Sequence, residues 1–198
     1  MKKIEALAKF LGIETSEIEE DMNNHKYFIT EDDREYMVLT DDEAEKTFYD
    51  YESDLIEECG LDAFTDWAKD YIIENCVDTE WFENFYYEDY ESYANDIETE
   101  SASSDEYENR LEEEMAEAEC TTIEEFVEYM VDRIRDDLVG QFEFDFGKDQ
   151  LTDVVSRYNL LDMDAVIDYI KEQDGRGIMA GYDGVENEEG EYYIYRID

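Results

Sequence analysis

The chain contains no proline, so no rigid proline linker divides it. With His25 as the only histidine, it offers neither a histidine zinc site nor a histidine triad, and His25 reads as a turn residue. Three cysteines, Cys59, Cys76 and Cys120, are scattered, odd in number and free of any CxxC or zinc spacing, which is the pattern of reduced cytoplasmic thiols. No apolar run reaches the ~18 residues of a membrane span. Met1-Lys2-Lys3 leads into an amphipathic segment, so no signal peptide is expected and the predicted location is the cytoplasm. Phosphate-cradle motifs are also missing. Asp174-Gly175-Arg176-Gly177 fits neither GxxxxGK[ST] nor GxGxxG and reads as a turn into the last hairpin. Asp145-Phe146-Gly147-Lys148-Asp149 fails the acid spacing of a calcium loop. Chance pairs among so many carboxylates carry no catalytic specificity. The sequence therefore assigns no catalytic residue, no metal and no cofactor, and the expectation is a protein that is not an enzyme.

The scarcest charge is positive. Fifteen Lys and Arg face 61 Asp and Glu, a net charge of −46. Solubility alone asks for a magnitude of only about 2–8 in a small domain. Such a surplus repels itself, as well as anionic lipid and nucleic acid. Disorder does not follow, because hydrophobic residues make up 42% of the chain and aromatics 15%, enough for a core. The two properties meet in Asp70–Asp132, where 23 carboxylates and one base, Arg110, are interleaved with Tyr71, Trp81, Phe82, Phe85, Tyr86, Tyr87, Tyr90, Tyr93 and Tyr107. This predicts folded helices, each with one apolar face and one densely negative face.

The predicted fold class is α+β, mostly α-helical, with small β-hairpins near both ends. Ile4, Leu7, Ala8 and Leu11 predict a helix over 2–11, stopped by Gly12, and Thr15 or Ser16 predicts a second short helix through Met22. KYFIT and EYMVL predict a hairpin over 26–39. Thr40 to Glu43 fits a capping box for a helix to about Glu58, with Phe48, Tyr51, Leu55 and Ile56 inward and a left-handed Gly60 at its end. A helix over 62–75 is expected to bury Phe64, Trp67, Tyr71 and Ile72. Phe82, Tyr86, Tyr90, Tyr93 and Ile97 stripe a helix over 79–98, and an outer acidic helix follows over 104–119. Ile123 to Leu138 predicts one helix over 122–139 closed by Gly140; the alternating Phe142, Phe144 and Phe146 predict a short strand. Two helices, 148–158 and 162–173, precede a terminal hairpin of IMAGY and EYYIYRI joined by Asp183–Gly190. Three parts are expected: a small subdomain over 1–40, an acidic helical region over 41–140 and C-terminal helices with a hairpin over 141–198.

The negative pole is the middle of the chain, about −30 over residues 31–119. A charge of −46 equals that of roughly 23 base pairs of duplex DNA. Carboxylates one helical turn apart stand about 5–6 Å from each other, close to the spacing of phosphates along a strand. In size, extreme acidity, aromatic-rich helices and paucity of bases, the chain resembles the DNA-mimic inhibitors of phages and mobile elements: the ArdA and Ocr antirestriction proteins and the acidic anti-CRISPR proteins. EYMVLTDDEAE (Glu35 to Glu45) and YYIYRI also look like segments of phage and plasmid accessory proteins. The resemblance is one of character, without an alignable motif. It implies an inhibitor that occupies the nucleic-acid site of a restriction enzyme or CRISPR effector, with a basic protein as partner, no direct nucleic-acid or membrane binding, and room for a homodimer through an apolar patch. The contact residues expected on the two acidic helices are Glu80, Glu88, Glu91, Glu98, Glu106, Glu108, Glu112, Glu113 and Glu117. The alternatives are an enzyme of unrecognised type, an acidic buffer or chaperone for basic proteins, and a salt-adapted surface.

Overall fold

The computed structural model of the chain describes residues 1–101 and 110–198. It is a mostly helical α+β protein, with nine α-helices and one five-stranded sheet among the described residues. The chain forms two compact units. One combines Met1–Ala63 with Met163–Asp198, and the other is Phe64–Asp162. These boundaries differ from the divisions after residues 40 and 140 expected from the sequence.

In the first unit, α1 (Lys3–Leu11) runs as expected and ends at Gly12 in the left-handed conformation. The expected helix through Met22 does not form. A 3-10 turn at Thr15–Glu17 gives way to strand β1 (Ile18–Glu20), because Ile18 pairs with Thr30 and buries its side chain. The predicted hairpin is β2 (Tyr27–Thr30) and β3 (Glu35–Leu39). At the other end the hairpin is shifted: β4 (Asn187–Glu189) pairs with β5 (Tyr192–Arg196) across Gly190 and Glu191. IMAGY is not a strand; Arg176–Met179 is a 3-10 turn. The two hairpins are one antiparallel sheet of order β1-β2-β3-β5-β4, joined by Val38 opposite Ile194. Alternation sends Phe28, Tyr36, Val38, Tyr192 and Ile194 onto Ala6, Leu7 and Ala8 of α1.

Thr40 caps α2 (Asp41–Cys59) through a complete capping box, as its sequence predicts. Gly60 ends it at φ 56° and ψ −141°, a region open to glycine rather than the left-handed helical one. The inner face is Ala44, Phe48, Glu52 and Ile56, spaced four apart; Tyr51 is exposed, against expectation. Glu52 is 1% exposed, and its Oε1 has no hydrogen-bond partner among the described residues. Burial, with the charge of Asp174, pushes its carboxyl above the ordinary glutamate range. A raised pKa in the folded state means that its contribution to stability is complete below the unfolded value and is lost as pH rises through the folded one. Replacing Glu52 by methionine is therefore expected to stabilise the protein by about 1–2 kcal/mol at neutral pH and by less near pH 4. Urea unfolding at both pH values checks this, and an equal effect at the two would refute it. The α9 helix (Met163–Asp174) completes this unit, with Val166, Ile167, Tyr169 and Ile170 inward.

Arg176, read from the sequence as a turn residue, is a hub. Its guanidinium donates to Asp41 (2.8 Å) and Glu45 (2.9 Å) of α2 and to both oxygens of Glu186 (2.9 and 3.1 Å). It lies 4.4 Å from the ring centre of Tyr193. Tyr195 donates its hydroxyl proton to the same Glu186.

The second unit is helical. Thr65 caps α3 (Asp66–Asn75), which buries Ile72 and Ile73; Trp67 and Tyr71 are exposed rather than buried as expected. Then come α4 (Glu80–Ser101), α5 (Arg110–Glu117) and α6 (Ile123–Asp132). The helix expected over 122–139 stops at Asp132. A 3-10 turn at Arg135–Asp137 separates it from α7 (Leu138–Phe146), and α8 (Lys148–Tyr158) follows. Gly140 lies inside α7 instead of ending a helix. Asp137 caps α7 by accepting from the Gly140 amide at 3.1 Å, and any Cβ at position 140 would meet that carboxylate. The expected strand of phenylalanines is part of α7. Positions 142 and 146 satisfy a helical period as well as an alternating one, and only Phe144, 85% exposed, departs from the helix face. Phe142 packs 5.3 Å from Phe82 and Phe85 and 4.6 Å from Phe146, while Trp81 stacks on Tyr158 at 5.2 Å. No helix among the described residues is long and apolar enough to cross a membrane.

Candidate functional site on helices α4, α5 and α6

The apolar stripe of α4 decides which of its acids meet solvent. Phe82, Tyr86, Ala94 and Ile97 are buried, with Tyr90 and Tyr93 half-buried, which leaves Glu80, Glu88 and Glu91 exposed. Ala94 and Ile97 share a small core with Leu111 of α5 and Phe126 of α6, reinforced by Tyr93, Met115, Ile123 and Met130. This core ties the three acidic helices together. On α5, Glu112, Glu113 and Glu117 are exposed. Its fourth glutamate, Glu114, accepts the Tyr93 hydroxyl at 3.0 Å from both oxygens. On α6, capped by Thr122, the stripe of Phe126, Val127 and Val131 leaves Glu124, Glu125, Glu128 and Asp132 outward.

Of the nine glutamates expected to make contact, six (Glu80, Glu88, Glu91, Glu112, Glu113 and Glu117) are exposed side chains of these helices. Glu106 and Glu108 lie outside the described residues, as does the side chain of Glu98. Among the described residues none of the six makes an ion pair. Glu88 and Glu91 are brought into a concavity. They line a groove of about 260 Å³ between α4 and α6 with Tyr87, Ile123, Glu124, Val127 and Glu128. Sequence reasoning misses Glu124 and Glu128, although their i, i+4 spacing opposite the apolar stripe of α6 is readable there.

A base reaches this face. Arg135, carried back by the turn after α6, bonds to Glu83 (3.0 Å) and the Tyr87 hydroxyl (3.2 Å), approaches Glu128 (3.8 Å) and pairs with Asp132. Partial desolvation opposes its charge, but Asp132, Glu83 and Tyr87 outweigh it and hold the guanidinium firmly protonated. Desolvation, then Glu128, pushes the Tyr87 phenol up. Deeper under the face, burial and a hydrogen bond to Asp145 at 2.9 Å raise the Tyr86 phenol well beyond its ordinary range, so it stays neutral.

No nucleophile–base pair accompanies the groove, and its lining holds acids, one phenol and aliphatic side chains. Among the described residues no three His, Cys, Asp or Glu side chains converge to hold a metal ion. A cavity of about 470 Å³ is a separate hollow beside β1 and β2 in the first unit; Glu19, Glu20, Asp21 and Glu35 line it beside Met22 and Ile29. Comparison with protein-family models, with curated proteins and with solved structures gives no match. The functional argument therefore rests on the chemistry of the acidic face.

Proposed function

We propose that this protein is a DNA-mimic inhibitor whose acidic face occupies the nucleic-acid-binding site of a bacterial defence complex, a restriction enzyme or a CRISPR effector. One observation carries the reading: exposed carboxylates, all but Glu128 and Asp132 without ion pairs among the described residues, stand on three helices fixed by a common core. A surface that only solvated itself would gain by spacing its acids or pairing them with bases. Here the 54 residues from Thr79 to Asp132 hold 20 acids and the single base Arg110. A groove evolved for phosphates is positive and low in dielectric, so it attracts such a surface over long range and discriminates against neutral ones. Carboxylates, unlike phosphodiesters, offer no bond for a nuclease to cut.

The test is affinity capture from a bacterial lysate that contains restriction and CRISPR systems, at physiological and at high salt, with captured proteins identified by mass spectrometry. The expected result is one nucleic-acid-binding complex, lost at high salt and displaced by added duplex DNA. Recovery of many basic proteins in proportion to their charge would instead make the protein an acidic buffer. Recovery of none would return the reading to an enzyme or a salt-adapted surface.

A further inference from the structure

The face that carries the proposed function is built as repeating cells, and one cell already holds a ligand of the relevant chemistry. Arg135 contacts Glu83 and Tyr87 near the start of α4 and Glu128 and Asp132 near the end of α6. At the other end of the pair, Ala94 and Ile97 of α4 meet Phe126 and Ile123 of α6. The two helices therefore run antiparallel. Moving one turn along both changes the four positions from 83, 87, 128 and 132 to 87, 91, 124 and 128. The second set is Tyr87, Glu91, Glu124 and Glu128: three carboxylates and a phenol again, sharing Tyr87 and Glu128 with the first. This second cell is the open groove of about 260 Å³, with Glu88 at its rim and Ile123 and Val127 lining it between the acids.

We infer that this groove takes one arginine side chain of a basic partner, held as Arg135 is held in the adjacent cell. The inference rests on the proposed function for the identity of the partner, but not for the chemistry of the groove. Its volume falls just below the ~300–1,000 Å³ of small-molecule pockets and suits a single long side chain. Arginine fits better than lysine on two counts. Its planar fork can donate to carboxylates on both walls and to the Tyr87 oxygen at once, whereas an ammonium is a point charge. Its aliphatic stem would cover Ile123 and Val127 while the head reaches the acids.

The probe is acetyl-arginine methylamide, titrated into the isotopically labelled full chain at physiological salt and followed by amide chemical shifts. Shifts are expected to concentrate on residues 87–91 and 123–128, and acetyl-lysine methylamide should bind more weakly. E91Q/E124Q is expected to weaken binding about tenfold or more, while E57Q/E58Q, which removes as much charge from α2, leaves it unchanged. All four side chains are exposed, so both variants should fold. Shifts spread evenly over α4, α5 and α6, or equal weakening by the two variants, would overturn the inference and leave only diffuse attraction. The two readings fail separately. If the titration fails while capture of a DNA-displaceable complex succeeds, the groove assignment falls and the inhibitor reading stands. A localised titration without any captured complex has the opposite meaning.

Discussion

Reversal of Glu88, Glu91, Glu112 and Glu117 to lysine is expected to abolish capture of the defence complex while leaving the protein folded. The four side chains are exposed and carry no ion pair among the described residues, so their reversal breaks no salt bridge of the folded state and relieves repulsion within a chain of charge −46. At about 1 kcal/mol for each carboxylate withdrawn from the interface, four reversals amount to roughly a thousandfold in affinity. The measurement is quantitative capture beside a circular-dichroism melt of the same variant. A control that reverses Glu14, Glu19, Glu31 and Asp183, exposed acids of the first unit, alters the total charge equally. If the control loses capture to the same extent, total charge and not the helical face governs binding, and the site assignment falls.

The second large effect is structural. Replacement of Arg176 by alanine is expected to cost about 3 kcal/mol, read as a shift of the urea midpoint followed by circular dichroism. The Arg176 side chain is 9% exposed and bridges Asp41, Glu45 and Glu186, of which Glu45 also pairs with Lys171 at 2.6 Å. Its removal leaves three carboxylates around one site and an empty place over the Tyr193 ring. The cost stays at the lower end for a broken buried pair because Asp41 and Glu45 are exposed enough to turn into water. Lysine in its place keeps the charge but loses the fork and the stack on Tyr193, so an intermediate loss is expected. A loss below about 1 kcal/mol for the alanine variant would show that the network is no stronger than an ordinary surface pair.

The same residue marks a limit of what periodicity reveals. Arg176 stands in a Gly-Arg-Gly run that signals only a turn, and its partners lie 135, 131 and 10 residues away. No local pattern announces such a contact. Elements whose signal is local were legible: Gly12 after α1, the Thr40 capping box, the stripe of α4 and the bounds of α8. Two of the departures come from patterns that fit more than one structure. Phe142 and Phe146 suit a strand or a helix. The apolar run from Ile123 to Leu138 spans both α6 and the start of α7, because Ile134 and Leu138 continue its spacing across the break. Missing that break meant missing Arg135 as well, since only the turn at Arg135–Asp137 brings the guanidinium back onto Glu83 and Tyr87. On the candidate face, exposure of the glutamates was readable from α4 and α5 one helix at a time. The groove was not, because it belongs to a pair of helices.

The pairing of β3 with β5 also sets an order of assembly during synthesis. Val38 leaves the ribosome early but cannot complete its side of the sheet until Ile194 has been made. Every residue of Phe64–Asp162 is translated before β5 exists, so the acidic helices can fold while the strands on either side of them in the sequence still wait for each other. A nascent chain with Phe64–Asp162 clear of the ribosome and β5 not yet released would thus display the negative helical face before the sheet has closed.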